Sequence, residues 1–323
     1  MPIKKYCFLL FFLVTASTLP AQVLLDDTFG TADTSGDLAG VGPQGAQNPP
    51  ASATWVLNST DPNASAIYTS GYFNPDLGAF VPGSLAQTFA TDQSVSAYFA
   101  GPGNQQVLSN VGDALTLDFA FTMNTVNASA DGIRVALLNS GSINSDFNYQ
   151  VSGANSDIAS STFANYTGVA AFFDPSNSKI NLYTRDSGPG NTTLIAGATN
   201  AAYNLFAPAG PGGLGITAGT PYLGTLTLTY QGVSNMGVSF SIYDMTDPLN
   251  PALLAGEGSA AFDSPASFDT IVLGGLNGAG DMTLSEVSVV LVPEPPVYAL
   301  CAGGLAVLAS VGWWNRRHTA KAA

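Results

Sequence analysis

Ala114-Leu115-Thr116-Leu117-Asp118-Phe119-Ala120-Phe121-Thr122-Met123 places an apolar side chain at every odd position and a small or polar one at every even position. Successive side chains of an extended chain point to opposite faces, so this stretch reads as a long strand with one face in a core and one toward water. A helix could not gather Leu115, Leu117, Phe119, Phe121 and Met123 on one side. Val111-Gly112-Asp113 opens the strand as a turn.

The pattern recurs outward along the chain. Ile133, Val135 and Leu137 alternate with Arg134, Ala136 and Leu138. Leu226, Leu228 and Tyr230 alternate with Thr225, Thr227 and Thr229. After a loop from Gln231 to Asn235, Met236, Val238, Phe240 and Ile242 alternate with Gly237, Ser239, Ser241 and Tyr243, which predicts a long antiparallel hairpin. Further strands are expected at Val169 to Phe173 and Lys179 to Thr184, joined through Asp174-Pro175-Ser176-Asn177, and at Phe147 to Val151, Phe268 to Leu273 and Met282 to Leu291. In the last of these the apolar set changes parity between Leu284 and Val287, which predicts a β-bulge near Ser285-Glu286. Gly36 to Ala53 and Ala207 to Pro221 read as long loops. The expectation is an all-β fold, a two-sheet antiparallel sandwich of the jelly-roll kind, in one domain over 22–292.

The two ends of the chain are of a different character. Lys4 and Lys5 precede the apolar run Tyr6 to Val14, and small residues lead to Ala21, the pattern of a secretory signal peptide over 1–21. At the other end Pro293-Glu294-Pro295 precedes an uncharged run, 297–314, followed by Arg316 and Arg317. Eighteen residues rising about 1.5 Å each are just long enough to cross a bilayer core of about 30 Å. The arginines belong on the cytoplasmic side and Trp313 and Trp314 at the interface.

This arrangement of Pro-Glu-Pro, apolar helix and basic tail over 293–323 resembles the PEP-CTERM sorting signal of Gram-negative bacteria. The resemblance implies recognition by an exosortase, a membrane-embedded transpeptidase-like enzyme, through Pro293, Glu294, Pro295, Arg316 and Arg317. It also implies inner-membrane anchoring during sorting, then delivery to the cell surface or the extracellular exopolysaccharide matrix. A plain tail anchor would need only the helix and the arginines. Within the domain, Val111-Gly112-Asp113 and Phe268-Asp269-Thr270-Ile271-Val272-Leu273-Gly274 resemble strings of the concanavalin-like lectin/glucanase fold over about 110–291, which implies an architecture and leaves function open.

Composition narrows the chemistry. The cysteines are Cys7 and Cys301 and the one histidine is His318, all outside 22–292. Ser-His-Asp and Cys-His catalysis and the usual zinc sites are therefore unavailable to the domain. Between 22 and 292 the basic residues are Arg134, Lys179 and Arg185 against 21 carboxylates, a net charge of −18. Such a surface repels nucleic acid, and repels anionic polysaccharide unless divalent cations bridge the two. Glu257, Glu286 and Glu294 are isolated, so the paired-carboxylate string of a glucanase is missing. Asp186-Ser187-Gly188 matches one half of an aspartic-protease pair, but Asp33-Thr34-Ser35-Gly36 carries an extra residue where the second would be. No cofactor is expected. A structural calcium site stays open, because Asp33 to Asp37 and Asp174 to Asn177 offer oxygen ligands on turns, although Asp and Asn are also ordinary turn residues.

Sugar binding is the remaining positive reading. If Ile180 and Leu182 face the core, Asn181, Tyr183 and Arg185 share the opposite face, and Arg134 has outward parity on its own strand. An aromatic ring beside planar hydrogen-bonding groups suits a sugar. The plainer alternative, preferred on the sequence alone, is a solvated strand face whose Tyr and Arg cover apolar surface. The functional expectation is an exported surface or matrix protein with a structural or adhesive, non-enzymatic role. A lectin-like carbohydrate-binding module is the alternative, and a polysaccharide-degrading enzyme the third reading.

Overall fold

The alternating stretches become strands. The computed structural model describes residues 21–27, 93–100, 104–128, 132–141, 162–176, 179–189, 194, 202–207, 215–233, 235–262, 266–276 and 278–294, together with short strands between 36 and 88. Residues 1–20, the expected strand at Phe147 to Val151, and everything from Pro295 onward, with the expected span 297–314 and Arg316 and Arg317, lie outside the described residues. Among the described residues no helix is long and apolar enough to cross a membrane.

In chain order the strands are β1 (Gln22–Asp27), β2 (Gly36–Asp37), β3 (Val56–Ser59), β4 (Ala66–Thr69), β5 (Tyr72–Asn74), β6 (Ala79–Val81), β7 (Ser84–Thr88), β8 (Gln93–Tyr98), β9 (Gln106–Val107), β10 (Ala114–Val126) and β11 (Ile133–Asn139). A single turn of 3-10 helix, Thr162–Asn165, precedes β12 (Thr167–Phe173) and β13 (Ile180–Arg185). The chain continues through β14 (Tyr203–Ala207), β15 (Pro221–Gly232), β16 (Asn235–Asp244), β17 (Ala252–Phe262), β18 (Ser267–Phe268), β19 (Thr270–Gly275) and β20 (Gly280–Val292). Ala21–Val292 forms one compact unit.

Two antiparallel sheets face each other. Sheet A runs β17-β16-β15-β10-β20-β7-β4-β2, with β1 also paired to β20, and sheet B runs β14-β13-β12-β11-β19-β8-β3. The chain crosses repeatedly between sheets, so while β11 to β14 and β15 to β17 pair in chain order, β7, β8, β10, β19 and β20 pair with strands distant in sequence. Residues 215–220, just ahead of β15, are pinned where Thr217 N–H donates to the Tyr222 hydroxyl at 2.8 Å and Gly219 N–H to the Met123 carbonyl at 2.8 Å.

The odd residues of β10 from Leu115 to Met123 are buried, as their alternation predicts, and join Leu226, Val238, Phe240, Val287 and Val289 of sheet A with Val135, Leu137, Val169, Phe173 and Leu182 of sheet B in one core. Phe119 stacks on Phe121 with centroids 5.3 Å apart and on Phe240 at 6.3 Å, while Phe173 reaches Phe240 from the other sheet at 5.8 Å. Opposite Phe119 stands Gly224, where a Cβ would lie 2.1 Å from the ring. The absent side chain is the space the ring occupies.

The bulge falls where the parity change puts it. Ala120 pairs with Glu286 and Phe121 with Leu284, so Ser285 is the extra residue. The β15-β16 hairpin is tighter than the expected loop, because Gly232 at φ 132 pairs with Asn235 and prolongs the ladder. Gly112, also at positive φ (100), lets the turn ahead of β10 close, with the Asp113 carboxylate accepting from the backbone of Ser109 at 3.0 Å and Asn110 at 2.8 Å.

On the outer face of sheet A, register brings Asp118, Ser288 and Asp26 into one row with Glu286 beside it. Desolvation first, and then the charges of Asp26 and Asp118, raise the Glu286 pKa from its ordinary 4.5. A raised carboxylate pKa means that the folded state holds its proton more tightly than the unfolded chain, so stability from this group is present at low pH and lost as pH rises above 4.5 toward the folded value. Glu286→Gln should therefore melt higher than the parent at neutral pH and converge with it near pH 4. Thermal melts that leave the gap between the two proteins constant with pH would contradict this.

Candidate functional site on the outer face of the second sheet

The middle strands of sheet B are buried on both parities. Ile133–Leu138, Gly168–Phe173 and Thr270–Gly275 are buried without a break, the pattern of strands covered on both faces. The inner face belongs to the sandwich core. The outer face carries a second cluster in which Ala136, Leu138, Ala170, Phe172 and Val272 pack with Phe163 of the 3-10 turn, Tyr166 and Leu194.

Register assembles the candidate side chains on that outer face. Arg134 pairs with Phe172, and Phe172 with Asn181; Ala170 pairs with Tyr183, and Tyr183 with Leu205; Arg185 pairs with Tyr203. The four predicted residues, Arg134, Asn181, Tyr183 and Arg185, thus share one face of adjacent strands. Sequence reasoning missed Phe172 and Tyr203, which complete the cluster. The signal for Phe172 was present in Val169-Ala170-Ala171-Phe172-Phe173, a run too apolar for a strand with a wet face.

The cluster is layered. The Arg134 guanidinium carbon lies 4.3 Å from the centroid of the Phe172 ring, and Phe172 lies 4.5 Å from Tyr183 at an interplanar angle of 34°. Tyr203 meets Phe172 at 5.1 Å and stands edge-on to Tyr183 at 6.4 Å. Arg185 sits 5.2 Å from the Tyr203 ring and donates from Nη2 to the Phe163 carbonyl at 2.8 Å. The Tyr203 hydroxyl donates to the Leu194 carbonyl. Desolvation raises the Tyr203 pKa, with the charges of Arg185 and Arg134 pulling it back, so the hydroxyl keeps the proton that this bond requires.

One part of the expected arrangement is corrected. Arg134 and Arg185 have the outward parity assigned to them, but each is only 1% exposed, because a second layer covers that face. A buried guanidinium is costly unless it is compensated. Here the ring faces of Phe172 and Tyr203 offset part of that cost, and the Phe163 carbonyl satisfies Nη2 of Arg185. The arginines therefore pack against the faces of the aromatic rings and hold them in place. Asn181 and Tyr183 are half-buried, and Leu205 beside them is 52% exposed. The accessible part of the cluster is the margin formed by β13 and the edge strand β14.

The other acidic candidates are tied into turns. Asp174 Oδ1 accepts from the Ser176 backbone at 2.9 Å and the Ser176 hydroxyl at 2.7 Å, closing the β12-β13 connection. Asp186 accepts from Asn204 Nδ2 at 2.5 Å, with its own N–H donating to the Ala202 carbonyl. Asp33 to Ser35 lie outside the described residues. Among the described residues no group of three His, Cys, Asp or Glu side chains gathers as a metal site.

A buried carboxylate that the sequence did not mark lies at one end of sheet B. Asp269, 1% exposed, interrupts the expected Phe268 to Leu273 strand. Its oxygens accept from Ser140 N–H at 2.9 Å, Ser140 Oγ at 2.6 Å and Thr270 Oγ1 at 2.7 Å. Its own backbone bonds to Leu138 and Phe99. Burial raises its pKa and these bonds oppose the rise, so Asp269 is a structural tie between β8, β11 and β19.

No protein-family model matches the sequence, and no curated protein is found as a relative. Among solved structures, the Emp47p carbohydrate recognition domain is 13% identical, with a TM-score of 0.39, over 80% of this chain and 95% of its own. The VIP36 exoplasmic/lumenal domain in its Ca2+/Man3GlcNAc-bound form is 10% identical, at 0.35, over 80% and 90%. A seed lectin of Lotus tetragonolobus is 10% identical, at 0.37, over 81% and 100%. The assignment of this chain as a two-sheet sandwich rests on its own strand pairing.

Proposed function

We propose that residues 22–292 form a non-enzymatic, lectin-like carbohydrate-binding domain. The observation that carries this reading is the Arg134-Phe172-Tyr183 stack, which holds a half-buried tyrosine beside Asn181 and Leu205 on a fixed support. A ring already held in place loses little freedom on binding, and a flat apolar face next to an amide is what a sugar ring needs. The purified protein should bind selectively on a glycan array. Tyr183→Ala should weaken that binding by about tenfold, on the order of 1.4 kcal/mol. Silence across the array would remove the lectin reading and leave a structural role in the matrix.

The same proposal includes the route. The chain is exported behind the signal peptide 1–21, tethered by 297–314, and sorted to the surface or the extracellular matrix through 293–323. The motif resemblance supports this, and Glu294 is exposed, directly after the last strand and half-buried Pro293. Glu294→Ala should leave export intact but retain the protein in the membrane. Equal release of mutant and parent to the surface would sink the sorting claim.

A further inference from the structure

We infer that the ligand at the β13-β14 margin is an uncharged glycan, and that acidic polysaccharides are disfavoured by the way the fold distributes its few cations. The inference rests on the carbohydrate-binding reading and adds the class of sugar.

Three basic residues lie between 22 and 292, and the fold withdraws two of them from solvent. Arg134 and Arg185 are each 1% exposed and packed against the Phe172 and Tyr203 rings, and Arg185 donates to the Phe163 carbonyl. Neither can form a bidentate pair with a uronate or sulfate at the surface without dismantling the support of Tyr183. Lys179 is exposed, and it is the only basic residue left to meet solvent from this segment. It stands two residues before Asn181, but Asp174 and Asp186 flank the same hairpin. On the outer face of sheet A the row of Asp118 and Asp26 with Glu286 beside it adds to the negative field.

An incoming polyanion therefore meets repulsion with one cationic side chain to offset it. A neutral chain meets the ring of Tyr183, the amide of Asn181 and the side chain of Leu205 without that opposition. Repulsion between surface charges extends about 30 Å at 0.01 M salt and about 8 Å at 0.15 M, so salt separates the two classes.

The test measures affinity of the full-length chain, in mild detergent, for matched neutral and uronate-bearing oligosaccharides at about 0.01 M and about 0.15 M salt. Neutral oligosaccharides should bind with a Kd that changes less than about twofold with salt. They should lose about tenfold in Tyr183→Ala and be unaffected by Lys179→Gln. Near-ultraviolet spectra that match the parent establish that each variant is folded. Preference for the uronate series, weakened by salt and by Lys179→Gln, would overturn the charge inference while leaving the sugar site standing. Binding of neither series overturns both.

Discussion

Phe119→Asp should leave the domain unfolded at room temperature, while Asp118→Asn, one residue away, should change its melting temperature little. Phe119 has no exposed surface and contacts Phe121, Phe240 and the space above Gly224. The substitution empties an aromatic-sized site and places a carboxylate in it. Removing a buried Phe alone costs about 3–5 kcal/mol, and an unpaired buried charge adds several more. That exceeds the lower part of the stability range of ordinary domains, about 5–15 kcal/mol. Asp118 accepts from Thr225 Oγ1 at 2.6 Å, a bond that an Asn side-chain oxygen can keep, and loss of its charge relieves Glu286. Equal melting of the two variants would mean that the parity of β10 is wrong.

The second large effect is expected at Asp269. Asp269→Ala removes the acceptor for Ser140 N–H, Ser140 Oγ and Thr270 Oγ1 in a place where water does not reach. Leaving buried donors unmatched costs about 1–3 kcal/mol each, so a loss on the order of 4 kcal/mol is expected. Asp269→Asn keeps one oxygen for two of the donors and should cost far less. Denaturant unfolding of both proteins decides it: similar midpoints would mean that the tie between β8, β11 and β19 carries little of the stability.

Much of the fold was legible because sheet A obeys one rule. Its central strands meet a core on one side and water on the other, so β10, β15 and β16 alternate cleanly, and even the bulge at Ser285 registers as a parity change. Sheet B is covered on both sides, and there alternation carries no information. Arg134 was assigned the correct face and the wrong environment, since parity says which way a side chain points and not what lies above it. The sign of a covered face was the apolar character of both parities in Val135 to Leu138 and Val169 to Phe173. Asp269 gave no comparable signal. Its partners lie at Ser140 and Thr270, and only the register of β11 with β19 brings Ser140 near.

Strand order also sets a timetable. β20, last of the described strands, lies inside sheet A, hydrogen-bonded along its length to β10 and on its other edge to β7 and to β1, whose Gln22 pairs with Leu291. The first and last strands of the domain are therefore partners. Until residue 292 is available, sheet A has no centre, β1 has no neighbour and the inner face of β10 lacks Leu284, Val287 and Val289. Closing so long a loop is entropically slow, and proteins dominated by such distant pairings fold in milliseconds to seconds. A nascent chain short of its final strand would remain an open, aggregation-prone collection of hairpins, so completion of folding is deferred until the whole domain has been delivered.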